Sequence, residues 1–196
     1  AGSWLTGYKI SQNANPNLKW EQTSMLNIGL DFQLFNGRLG GTIEWYDKRT
    51  KDMLYTYAVP SPPYLYTEMM ANVGDMSNKG IEVLLNFDAI KTKDFSWNTS
   101  LNLAHNKNKV TKLSNGEFST TRIYAGDAWI RGSSGGTTHV VEEGYPIGQF
   151  FGWKYLGMND GVPQYEDING DGQISEDDRT YIGDAQPDLT FGWNNT

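Results

Sequence analysis

Gln22-Thr23-Ser24-Met25-Leu26-Asn27-Ile28-Gly29-Leu30-Asp31-Phe32-Gln33-Leu34-Phe35-Asn36-Gly37-Arg38 sets the character of the whole chain. From Leu26 to Leu34 every second residue is apolar (Leu26, Ile28, Leu30, Phe32, Leu34), and Asn27, Gly29, Asp31 and Gln33 stand between them. A repeat of two over that length is a β-strand with one apolar and one polar face. Asn36-Gly37 then gives the strongest short hairpin signal, because both residues tolerate positive φ. A strand over residues 22–34 and a return strand over residues 38–48 follow. The return strand sets Leu39, Gly41, Ile43 and Trp45 against Gly40, Thr42, Glu44 and Tyr46.

Working outward, the same design recurs over residues 79–88 and 95–106, and further strands are expected near residues 148–157 and 188–196. Each clear run has about ten residues, the length a tilted strand needs to cross a bilayer. Face alternation alone also suits a β-sandwich. Loop lengths separate the two: connections at 36–37 and 89–94 are short, whereas residues 49–78 and 107–147 read as long loops. They hold Val59-Pro60-Ser61-Pro62-Pro63-Tyr64 and Arg131-Gly132-Ser133-Ser134-Gly135-Gly136. Alternating tight turns and long loops is the habit of outer-membrane barrels. The expected fold is therefore all-β, antiparallel strands of a transmembrane β-barrel. So few strands cannot close one, and further chain is expected to complete it.

Composition agrees. The 196 residues are 38% hydrophobic yet 13% aromatic, poor in aliphatic core and rich in rings. A net charge of −7, with scattered basic residues, gives no footprint for wrapping phosphates, so nucleic-acid binding is not expected. The absence of cysteine removes disulfides, thiolate nucleophiles and Cys-ligated zinc.

The most specific motif is Asp167-Ile168-Asn169-Gly170-Asp171-Gly172-Gln173-Ile174-Ser175-Glu176-Asp177-Asp178. It fits the D-x-[DN]-x-[DN]-G calcium loop with an acid at loop position twelve. Asp167, Asn169 and Asp171 would supply side-chain oxygens, Gln173 its backbone carbonyl and Asp178 the closing carboxylate, with Ser175 acting through water. Asp178 is one methylene shorter than the usual Glu, so the loop must fold in further. The competing reading is an acidic turn held by Asx hydrogen bonds with no ion. A structural Ca2+ that stiffens an external loop is the expectation for 167–178.

No enzyme is expected. His105 and His139 lack a neighbouring Ser or Asp signature, Gly132-Ser133-Ser134-Gly135-Gly136-Thr137-Thr138 lacks the lysine of a phosphate loop, and the adjacent acids Glu142-Glu143 point to opposite faces of a strand. Trp45, Tyr46, Tyr55, Tyr57, Trp97 and Trp153 are expected near strand ends or in loops as an interfacial girdle, and the loop residues Tyr64, Tyr66 and Tyr124 in loop packing, with stacking on sugar rings at the external mouth as the alternative.

Asn15-Pro16-Asn17-Leu18-Lys19-Trp20-Glu21, Glu44-Trp45-Tyr46-Asp47-Lys48-Arg49-Thr50-Lys51-Asp52, Asn72-Val73-Gly74-Asp75-Met76-Ser77-Asn78-Lys79-Gly80-Ile81-Glu82 and Pro187-Asp188-Leu189-Thr190-Phe191-Gly192, with the 167–178 loop, resemble the SusC/RagA family of TonB-dependent transporters. The resemblance implies part of the C-terminal half of a barrel of about 22 strands. It further implies import of oligosaccharides or peptides across a Bacteroidetes-like outer membrane, with a SusD-like surface lipoprotein as lid. TonB would act through a plug domain that this sequence does not contain. The alternative is a secreted β-sandwich carbohydrate-binding module with a structural calcium loop.

Overall fold

The computed structural model describes residues 9–127 and 136–196. Strands β1 (Gln22–Leu34), β2 (Leu39–Ala58), β3 (Glu68–Lys91), β4 (Ser96–Lys112) and β11 (Thr190–Asn195) form one antiparallel sheet in the order β1-β2-β3-β4-β11. Between β4 and β11 the chain makes β5 (Arg122–Asp127), β6 (Thr137–Glu142), β7 (Gln149–Trp153), β8 (Tyr155–Asn159), β9 (Val162–Tyr165) and β10 (Arg179–Asp184). These give a second sheet, β10-β7-β6-β5, and a separate β8-β9 hairpin. Residues 131–135 of the Gly/Ser segment lie outside the described residues. Among the described residues no helix is long and apolar enough to cross a membrane.

The register converts the sequence alternation into two continuous faces. One carries the rows Ile28–Trp45–Ile81–His105, Leu30–Ile43–Val83–Leu103–Phe191 and Phe32–Gly41–Leu85–Leu101–Trp193. The other carries Asn27–Tyr46–Gly80–Asn106, Gly29–Glu44–Glu82–Ala104–Thr190 and Asp31–Thr42–Leu84–Asn102–Gly192. The apolar face is uncovered: Leu30 is 61% exposed, Phe191 73% and Trp193 70%. A β-sandwich would lay its second sheet on those residues. Here the second sheet leaves them bare, and the sandwich reading is set aside.

Two glycines let rings lie flat on this sheet. A Cβ at Gly80 would sit 2.5 Å from Tyr46 Cζ and 2.7 Å from the His105 carbonyl oxygen. The Tyr46 ring covers that gap and donates its hydroxyl to Asn106 Oδ1 at 2.9 Å. On the apolar face, Phe32 covers Gly41 in the same way, its Cζ 2.7 Å from where a Cβ would be.

Several boundaries differ from the sequence expectation. Residues 49–78 are not one long loop: β2 continues to Ala58, β3 begins at Glu68, and only 59–67 connect them. The two strands run on past a bulge near Asp52, whose φ is 57°. Their alternation is blurred because the bulge shifts the face on which β2 residues fall and because the apolar Leu54 and Met70 stand exposed opposite the packed side. Tyr57, Ala71 and Val73 are buried there with Phe118 against them, and Tyr57 donates its hydroxyl to the Leu113 carbonyl at 3.0 Å. Likewise, residues 107–147 contain the end of β4, all of β5 and all of β6. The strand expected over 148–157 is two, β7 and β8, because Lys154 leaves the sheet and ion-pairs with Glu166 at 2.8 Å.

An asparagine clamp holds the β2–β3 extension. Asn13 donates to the carbonyls of Tyr66 (2.6 Å) and Glu68 (2.8 Å), and Asn15 to that of Met70 (2.9 Å). Asn72 ties Lys19 and Asp52, accepting from Lys19 N–H at 2.7 Å and donating to the Asp52 carbonyl at 2.7 Å. Such bonds satisfy backbone groups that a two-stranded ribbon would otherwise leave to solvent.

Candidate functional site

The polar face, the sheet folded beside it and the 167–178 loop make one continuous region. Asn108 shares the polar face, and its Oδ1 accepts from Ile147 N–H at 2.7 Å. Val110, two residues on, exchanges backbone bonds of 2.8 Å with Gly144 and Tyr145 and is 3% exposed. The chain leading into β7 therefore lies along the open edge of the far end of β4, bonded there by the Val110 backbone and reached from the polar face by the Asn108 side chain. The second sheet is anchored at that edge.

Its inner surface is built around Phe151, with the Arg122 and Arg179 guanidinium carbons 5.2 and 4.9 Å from the ring centroid. Arg122 forks onto Glu142 at 2.9 Å. Arg179 donates to the carbonyls of Thr137 and Phe151, pairs with Glu176 at 2.9 Å and lies 5.4 Å from the Trp153 ring. One side chain thus joins three strands to the end of the loop. Trp153 makes a second tie, its indole N–H donating to the Ser175 carbonyl at 2.6 Å. Gln149 is fully buried on this face, and neither polar atom of its carboxamide has a hydrogen-bond partner among the described residues.

Within the loop, Asp167 accepts from the N–H groups of Gly170 and Gly172, both at 2.7 Å. Asn169 accepts from Asp171 N–H (2.9 Å), and Asp171 from Gln173 N–H (2.8 Å). Gly170 and Gly172 have φ of 74° and 81°, which the tight winding requires. Asp178 is fully buried and accepts from Ser175 N–H at 2.7 Å and Ile168 N–H at 2.9 Å, closing the loop end to end. The Ser175 N–H, with those of Asn169 and Ile168, holds this carboxyl below the usual carboxylate range against the opposing effect of burial.

The sequence-predicted ligands Asp167, Asn169, Asp171, Gln173 and Asp178 are therefore in one loop. Among the described residues no three Asp, Glu or His side chains converge as a metal cluster. The donor set is nonetheless of the hard-oxygen kind calcium takes, and a carboxylate oxygen that accepts one N–H keeps a second lone pair. The chemistry of the donors suits such an ion, and their oxygens are here turned to the loop's own N–H groups.

The aromatic residues sort differently from the girdle expectation. Trp97 stands at the short-turn end of β4 and donates to Asn195 Oδ1 at 3.2 Å. Trp45 is on the apolar face, but Tyr46 is on the polar one. Tyr57 is buried, and Trp153 belongs to the second sheet. Tyr66 is tied through its hydroxyl to the Ile10 carbonyl, and Tyr124 packs edge-on to Phe151 at 5.6 Å. Sequence reasoning missed Arg179 and Gln149, since neither stands in a motif that chemistry alone makes recognisable.

The model of the family described as TonB dependent receptor-like, beta-barrel, matches residues 2–196. TonB-dependent receptor P26 of Formosa agariphila is 36% identical over 211 residues, covering 100% of this chain and 20% of the relative. TonB-dependent receptor SusC of Bacteroides thetaiotaomicron is 35% identical over 181 residues, covering 91% and 18%. Among solved structures, the RagAB peptide importer in its open-open state superposes with a TM-score of 0.76 at 27% identity, over 96% of this chain and 20% of that one. The chain thus spans about one fifth of the length of the relatives it matches.

Proposed function

Since this chain belongs to the TonB-dependent receptor-like β-barrel family, we propose that it forms part of the wall and external surface of an outer-membrane transporter. The transporter imports oligosaccharides or peptides, closed by a SusD-like surface lipoprotein and energised by TonB through a plug elsewhere in the protein. The observation that carries this reading is the five-stranded sheet with one uncovered apolar face and one polar face. In water so large an apolar surface is a liability, whereas against lipid tails it is required. The apolar rows face the bilayer, the Glu44 and Asn102 rows face the lumen, and the second sheet stands over the outer mouth. A relative described as a peptide importer favours peptides within this substrate range.

The test is depth-dependent quenching of the full-length transporter in bilayers with brominated acyl chains, each tryptophan read singly. Trp45 and Trp193 are expected to be quenched and Trp153 spared. Quenching of Trp153 alone would refute the assignment of faces.

In the same reading the 167–178 loop takes a structural calcium through Asp167, Asn169, Asp171 and the Gln173 carbonyl, with Asp178 closing it. Spacing, hard-oxygen donors and the acidity of the loop support this. At calcium a hundredfold above Kd, the gain against local opening is about 2.7 kcal/mol. It reads as slowed amide exchange in 167–178 that a chelator reverses; exchange indifferent to calcium and chelator removes the ion from the proposal.

A further inference from the structure

The apolar face ends abruptly at its long-loop edge. One row above Trp45, the register sets Asp47, Lys79 and Lys107 side by side on that same face. The next row sets Arg49, Ser77 and Lys109. Asp47 pairs with Arg49 at 2.9 Å and Lys79 at 3.1 Å, so one carboxylate serves two cations. Lys107 and Lys109 are exposed and form no ion pair among the described residues.

Four cations against one anion is a local excess of positive charge in a chain whose net charge is −7. Lysines directly opposite each other, as Lys79 and Lys107 are, repel and weaken strand pairing unless an anion lies between them. Across β2, β3 and β4 the patch measures about 10 Å by 7 Å from strand spacing and rise, the scale of one phosphorylated headgroup. Lysine stems also lie along apolar surface while their ammonium groups reach for polar ground.

From this we infer that Arg49, Lys79, Lys107 and Lys109 bind the phosphate groups of an anionic glycolipid in the outer leaflet, against the wall of the barrel. The inference rests on the membrane reading above. The lipid's acyl chains lie on the Trp45 and Ile43 rows, and its phosphates fill the gap between Lys79 and Lys107. Asp47 sets the limit of the patch by holding Arg49 and Lys79 in place. Charge supplies the selectivity, because a zwitterionic headgroup brings its own cation into the row.

Native mass spectrometry of the full-length transporter, released from detergent with added monophosphoryl lipid A, tests this. Each lysine lost near a membrane surface costs about a fivefold drop in affinity for an anionic lipid, so the triple variant Lys79→Gln, Lys107→Gln, Lys109→Gln is expected to lose about a hundredfold. The matching Lys→Arg variant retains binding, which separates lost charge from lost folding. Lys48→Gln, at the same height on the polar face, leaves it unchanged. Equal retention of dephosphorylated lipid A or phosphatidylethanolamine, or undiminished binding by the triple Gln variant, overturns the inference. So does full competition by millimolar inorganic phosphate, which would mark an ion site and not a lipid site. A transporter that stays monodisperse without detergent refutes the membrane reading itself, whereas an intact lipid belt without phosphate preference refutes only this inference.

Discussion

Ile43→Lys is the sharpest perturbation of the apolar face. Ile43 sits in the middle row, between Leu30 and Val83, with Trp45 above and Leu39 below on the same face. It is 37% exposed in the chain as described, so a purely aqueous reading makes the substitution nearly neutral, within about 0.5 kcal/mol. Against lipid the answer changes, because a lysine near the bilayer midplane of a barrel costs about 2–4 kcal/mol. That is roughly a 30- to 700-fold shift in the folding equilibrium at 1.4 kcal/mol per tenfold. The assay is reversible urea unfolding of the full-length transporter in lipid vesicles, with Glu44→Lys as control on the polar face. Glu44 stands opposite Glu82, so its replacement by lysine relieves a like-charge pair and costs nothing. If Ile43→Lys proves neutral while Glu44→Lys destabilises, the faces have been assigned the wrong way round.

Three other outcomes follow from single contacts. Gly80→Ala displaces the Tyr46 ring and breaks its bond to Asn106, an overpacking cost of about 1–3 kcal/mol, whereas Tyr46→Phe loses only the hydroxyl bond, about 1 kcal/mol; comparing unfolding midpoints of the two checks the order. Asp178 has a folded pKa below its unfolded value of about 3.9, so its contribution is complete above that value and is lost as pH falls through the folded pKa. Protection factors of the amides across 167–178 are expected to fall in that acid window, and those of Asp178→Asn to be low already at neutral pH. Arg179→Lys keeps the charge but not the planar fork that reaches the Thr137 and Phe151 carbonyls, and should cost roughly 1.5–3 kcal/mol; protection confined to β6 and β7 should fall, and unchanged protection would refute the role of Arg179 as a tie.

The alternating faces of residues 22–48, 79–88 and 95–106 were legible in the sequence because successive Cβ atoms of a strand point to opposite sides. That is a local rule, and it needs no knowledge of the partner strand. The hairpin at Asn36-Gly37 and the winding of the 167–178 loop were legible for the same reason, since φ preference and Asx bonding act over a few residues. The tertiary structure alone decided where strands stop and what their ends cover. The extensions of β2 and β3 are stabilised by distant residues: Asn13 and Asn15 on one side, Leu113 and Phe118 on the other. Composition there, rich in Pro and Tyr, spoke only for residues near the turn. Tyr57 looked like a girdle ring until the chain 56 residues away closed over it. Arg179 gained its role by meeting Thr137 and Phe151, 42 and 28 residues distant. The basic patch beside the apolar rows arises in the same way, because Lys79 and Lys107 become neighbours only when register aligns β3 with β4. Face chemistry is written along the chain, whereas neighbours across the sheet are fixed by pairing, which no local pattern encodes.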